Sequence, residues 1–136
     1  MRDFTLGFAA LLFLSCSESP TGPGTVRSVQ GSWELQSFQI AGGATGIAEP
    51  GFYTADFAAD GRVSARADCN RCSASYSAAA ASLEIGALAC TRAYCGDESL
   101  FDDYVAALDG ATSFERPGSS LVIRHSRGSL RFVPKS

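Results

Sequence analysis

The chain has one histidine in 136 residues, no apolar run long enough to span a bilayer and no block of basic side chains. Each absence removes a class of function. His125, set between Arg124 and Ser126 at an expected strand end, reads as a surface residue rather than a general base. No serine sits in a nucleophile elbow or a Ser-x-x-Lys motif, and no glycine loop is shaped to cradle phosphate. The expectation is therefore a protein that is not an enzyme and carries no cofactor. Basic residues are scattered in a chain of net charge −3, which speaks against nucleic acid. The nearest approach to a basic patch is Arg124, Arg127 and Arg131, whose spacing fits outward-facing strand positions equally well. There is no internal repeat and no alternation of strands with helices.

What is present begins at the N-terminus. Phe4 to Ser15 is an uncharged run of twelve residues, against the roughly 20 needed to cross a membrane. With Arg2 ahead of it, it fits the apolar segment of an export signal. It ends in Phe13-Leu14-Ser15-Cys16, which resembles the lipobox of bacterial lipoproteins. The resemblance implies a signal peptide over residues 1–15, acylation of Cys16 and anchoring to a membrane. Several acyl chains on one cysteine hold firmly where one binds only marginally. Residues 16–28 are rich in Ser, Pro and Gly and read as a flexible tether. By the same resemblance, Ser17 suits the periplasmic face of the outer membrane, and the expected partners are that membrane and an envelope protein.

Residues 29–136 are then one domain, large enough for a single core. Short alternating segments dominate it. In "GSWELQSFQI", Trp33 and Leu35 share a face, and the parity shifts at Phe38, which points to a bulge or two short strands. "FYTADF" and "RVSARA", joined through Ala59-Asp60-Gly61, form the clearest hairpin. A second hairpin is expected to turn near residue 81. Leu100, Phe101, Tyr104, Val105 and Leu108 make an apolar stripe, predicting a helix over residues 97–109 with Asp97 as its N-cap and Asp109-Gly110 as its stop. Asp102 and Asp103 fall on its wet face. "ATSFE", "SLVIR" and "SLRFV" read as closing strands. The fold class expected is α+β: mostly antiparallel β, as a curved sheet or small open barrel, with one packed helix. Trp33 and Tyr53 read as core, with a cavity lining as the alternative.

Four cysteines fall as Cys69-x2-Cys72 and Cys90-x4-Cys95. If residues 69–95 fold as a hairpin, antiparallel partners have position numbers with a near-constant sum. That favours the nested pairs Cys69–Cys95 and Cys72–Cys90 over crossed ones and leaves local pairing open. The outer bridge would close a 27-residue loop, worth about 3 to 4 kcal/mol by chain entropy. The spacing also approaches a four-cysteine zinc site, but an oxidising compartment favours disulfides, and no metal is expected. A redox-active Cys-x2-Cys lacks the strand–helix–strand setting that lowers a thiol pKa.

"ADGRVSARADCNRCSASY" followed by "LEIGALACTRAYC", then "ESLFDDYVAAL" and "SLRFVP", resembles the META domain of the HslJ-like heat-shock lipoproteins, from about Gly31 to Pro134. The resemblance implies a compact β-rich envelope domain with a packed helix, linked to stress or drug tolerance, without catalytic residues. It matches the motif cysteines to Cys69 and Cys95, in agreement with the outer bridge. It marks Asn70 and Arg92 as motif residues, read as turn and hydrogen-bonding positions and as candidate binding residues. The alternative to a partner-binding lipoprotein is one that holds a small hydrophobic ligand in the mouth of the sheet.

Overall fold

The structure, a computed structural model, describes residues 28–39, 45–47, 49 and 51–136. The expected signal peptide over 1–15, Cys16 and all of the tether but Ser28 lie outside them. The strands are β1 (Gly31–Gln39), β2 (Thr45–Ile47), β3 (Tyr53–Phe57), β4 (Arg62–Ala67), β5 (Asn70–Ala79), β6 (Ser82–Ile85), β7 (Ala89–Cys90), β8 (Ala111–Glu115), β9 (Leu121–His125) and β10 (Gly128–Pro134), with the helix α1 (Phe101–Asp109) between β7 and β8.

Eight of these strands close into an antiparallel barrel in the order β1-β3-β4-β5-β6-β8-β9-β10, and β10 returns to pair with β1. The sequence reading of a curved sheet or small open barrel thus becomes a closed one. The reason lies in β1. Its Gly31–Glu34 half pairs with β3, its Ser37–Gln39 end pairs with β2, and its other edge takes β10 from Trp33↔Pro134 to Gln39↔Ser129. The register slips between Leu35 and Ser37, so the parity shift seen in the sequence is a bulge. Bulges add twist, and twist with stagger lets a sheet meet itself. The thinnest seam is β6 against β8, carried by Ser82↔Ser113 and the Phe114 amide on Ala81 oxygen at 2.9 Å.

Period-two alternation sends Phe57, Val63, Ala65, Ala67, Ala74, Leu83, Ile85, Phe114, Leu121, Ile123, Leu130 and Phe132 into one core. The small side chains fall on β3, β4 and β5, where they leave room for α1, which packs against β4 and β10. Tyr104 is fully buried there, edge-on to Tyr53 at 5.4 Å, and its hydroxyl donates to Thr54 oxygen at 2.8 Å. Burial, with Asp56 adding to it, pushes the Tyr104 phenol well above its ordinary range.

The helix departs from expectation at its start. It begins at Phe101 with Leu100 as N-cap and no side-chain cap bond. Asp97 lies in a turn before it, where its carboxylate accepts from the Tyr94 hydroxyl. The end holds, since Gly110 donates its amide to Ala106 oxygen at 3.0 Å. In the first hairpin, Gly61 takes φ +81°, a conformation that other L-residues adopt only with strain, and Asp60 accepts from the Arg62 amide at 3.0 Å.

Candidate functional site

The cysteines lie where β4, β5 and the loop before α1 meet. Cys72 stands directly opposite Cys90 in the β5–β7 pair, with Cα atoms 4.0 Å apart, and the two are bridged. Cys69, in the β4–β5 turn, is bridged to Cys95 in the loop, Cα to Cα 5.6 Å. The pairing is nested. Asp68, beside Cys69, holds φ +59°, which Asp tolerates better than most residues.

Asn70 organises the loop. It is 1% exposed, and its Oδ1 accepts from the Ala93 amide at 2.7 Å and from Thr91 Oγ1 at 2.9 Å. Its Nδ2 donates to Ala93 oxygen at 2.9 Å and lies 3.3 Å from Cys95 Sγ. Thr91 Oγ1 in turn accepts from the Arg71 amide at 3.1 Å. A buried amide with its donors and acceptor all engaged is satisfied by its own chain, so Asn70 shapes the surface from beneath. Arg92 is exposed and, among the described residues, makes no hydrogen bond or ion pair.

The loop forms one wall of a cleft of about 540 Å³, lined by Glu49, Phe52, Tyr53, Asp68, Asp97 and Glu98 among others. Tyr53 ties the walls together. Its hydroxyl donates to Asp68 Oδ2 at 3.2 Å and accepts from the Leu100 amide at 2.9 Å, so it terminates the helix in place of a cap. Burial raises the Tyr53 phenol above its ordinary value; the Leu100 amide and Ser99 oppose this, and Asp68 adds to it. Hydrogen bonding to Asp97, with a smaller contribution from burial, raises Tyr94. Of the exposed large hydrophobics among the described residues, Phe52 at 42% lines this cleft, and Tyr94 at 79% lines an adjoining one of about 450 Å³ that shares Cys95, Gly96, Asp97 and Ser99. Arg66 holds Phe52 in a cation–π contact at 4.8 Å.

Asp68 carboxylate oxygen and the sulfurs of Cys69 and Cys95 lie within 4.8 Å of one another. Bridged sulfurs are not thiolates, and one carboxylate alone does not hold a metal. His125 is half-buried rather than on the surface as expected, and it lies away from the cleft, with Nδ1 accepting from the Arg127 amide at 3.3 Å. Trp33 is core, its indole N–H on Val29 oxygen at 3.0 Å and Arg116 stacked on the ring at 4.4 Å. Arg124 is paired with Glu115 at 3.0 Å, Arg127 lies in the β9–β10 turn, and Arg131 faces outward from β10. The sequence reading missed Phe52, Tyr94 and Asp97 as a surface; the Thr-Arg-x-x-Cys motif around Tyr94 was the available signal.

No curated protein sequence matches the chain. Two solved structures share its fold. A protein from Burkholderia xenovorans, determined by NMR, superposes with TM-score 0.62 at 22% identity, over 76% of this chain and 81% of that one. The crystal structure of a DUF4847 family protein from Bacteroides vulgatus ATCC 8482 superposes with TM-score 0.56 at 15% identity, over 79% of this chain and 94% of that one. The META domain family matches residues 26–136, which takes in every strand and the helix among the described residues, and the chain belongs to that family.

Proposed function

We propose that this is a non-catalytic, lipid-anchored envelope protein of the HslJ-like group, whose META domain docks a protein partner in stress or drug tolerance. One observation carries the docking reading: the exposed aromatics Phe52 and Tyr94 line two adjoining clefts that share the wall Cys95–Asp97, a wall fixed by a disulfide and by Asn70. Exposed aromatics on a rigid frame are what interfaces favour, since large contact area costs little ordering entropy. The alternative, a small hydrophobic ligand, has less support. The barrel interior is filled by Tyr104, Leu108, Phe114 and Phe132, and the cleft is rimmed with carboxylates.

Two experiments test the proposal. Intact mass of protein purified from membranes should show loss of residues 1–15 and a lipid increment on Cys16; an unmodified chain removes the anchoring. Crosslinking in isolated membranes should capture a defined partner that is lost in Phe52→Ser/Tyr94→Ser protein of unchanged Tm. Equal capture by that variant removes the docking surface.

A further inference from the structure

The two bridges differ in exposure and in the donors that reach their sulfurs. Cys69 is exposed, Cys95 and Cys90 are both half-buried, and Cys72 is 4% exposed, so only the outer bridge presents an exposed sulfur-bearing residue. Two N–H donors converge on one sulfur of the outer bridge: the Cys69 amide and Asn70 Nδ2 both lie 3.3 Å from Cys95 Sγ. Among the described residues neither sulfur of the inner bridge receives a donor. Exchange proceeds by a thiolate attacking one sulfur while the other leaves, and it is faster when the leaving sulfur bears its charge easily. Donors aimed at a sulfur favour its thiolate.

From this geometry we infer that Cys69–Cys95 is a built exchange site for a dithiol reductant, attacked at Cys69 with Cys95 as the leaving sulfur, while Cys72–Cys90 stays closed. The thiolate of the dithiol bonds to Cys69 Sγ, the bridge breaks, and the electron pair passes to Cys95 Sγ, which takes a proton from water. The reductant's second thiol, as thiolate, displaces Cys69 and closes the reductant's own disulfide, and Cys69 takes a proton. Two electrons and two protons have moved from the dithiol to the bridge. The Asp68 carboxylate, near both sulfurs, opposes negative charge there, and the Tyr53 hydroxyl that donates to it takes up part of its charge.

Reduction would not unfold the domain. The inner bridge still ties β5 to β7, and Asn70 still holds residues 91–93. What is released is the stretch from Tyr94 to Ser99, of which Cys95 to Ser99 form the wall of the cleft. That this release would regulate docking rests on the function proposed above; the exchange chemistry does not.

The test uses oxidised protein without a partner, so it is independent of the docking reading. The protein is exposed to dithiothreitol, quenched at intervals, alkylated and mapped by mass spectrometry. Cys69 and Cys95 should take label at least about tenfold faster than Cys72 and Cys90; label entering both pairs in step, or the inner pair first, overturns the assignment. Limiting glutathione should leave its adduct on Cys69 with Cys95 free, and an adduct found on Cys95 overturns the direction of attack.

Discussion

Replacing Asn70 by Ala removes both ends of the buried amide that ties the loop to β5. The Ala93 amide and the Thr91 hydroxyl lose their acceptor, and Ala93 oxygen loses its donor. Thr91 and Ala93 are exposed, so water takes up part of what they lose, and each bond is worth its net value of about 1 kcal/mol. We predict a loss of about 2 to 4 kcal/mol in urea unfolding, against less than about 0.5 kcal/mol for Arg92→Ala at an exposed position. His125 gives a second prediction. Burial, opposed by the Gln39 backbone and assisted by Arg127, lowers its pKa below the ordinary 6.5. The unfolded chain then takes up the proton first as pH falls. Stability should decline as pH drops below the unfolded value and level off below the folded one. A His125→Gln variant should lose that part of the pH dependence in thermal melts taken between pH 5 and 8.

At the level of elements, α1 stands out because its start depends on a side chain from another strand. Tyr53→Phe deprives the Leu100 amide of its acceptor and frees Asp68, so it should cost about 1 to 2 kcal/mol. It should also raise amide exchange in the first helical turn, which a purely packing role would leave alone. The limits of sequence reading show at the same place. Asp97 has the local preference of an N-cap, but the neighbouring Cys95 bridge and the Tyr94 hydroxyl hold it in a turn, and the capping is shared by Tyr53 on the Leu100 amide and Ser99 Oγ on the Phe101 amide. Local signals otherwise located the longer strands, but not the short β2 and β7. Alternation located β3, β4, β8, β9 and β10, the Ala-Asp-Gly turn fixed the first hairpin, and the shift at Phe38 marked the bulge. Closure was not legible, because a period of two says which face a residue takes and nothing about which strand lies beside it. The same holds for the site. The cysteines declared themselves through spacing and Asn70 through the resemblance to the META motif, whereas Phe52 and Tyr94 have the composition of core residues, and only the structure puts them outside.

For the whole molecule, the nested bridges make stability non-additive. The inner bridge spans a sequence separation of 18 and the outer one of 26. With the inner bridge in place, the outer one closes only residues 69–72 and 90–95, worth about 2.5 to 3 kcal/mol by chain entropy. A Cys69→Ser/Cys95→Ser variant should lose about that much, and removal of both bridges about 6 kcal/mol. The second loss approaches the entire stability of an ordinary domain. Urea unfolding of the two variants checks both figures; a fully additive outer bridge would lie nearer 3.5 kcal/mol.

The β1–β10 seam, where the Lys135 amide reaches Ser32 oxygen at 3.0 Å, leaves the two ends of the domain side by side. Strand order along the chain is then a matter of where the ring happens to be cut. A circular permutant joined by a short Gly-Ser linker from Lys135 to Ser28, with new termini at the exposed Pro117–Gly118 turn, should keep every strand neighbour and recover both sulfur pairings on oxidative refolding.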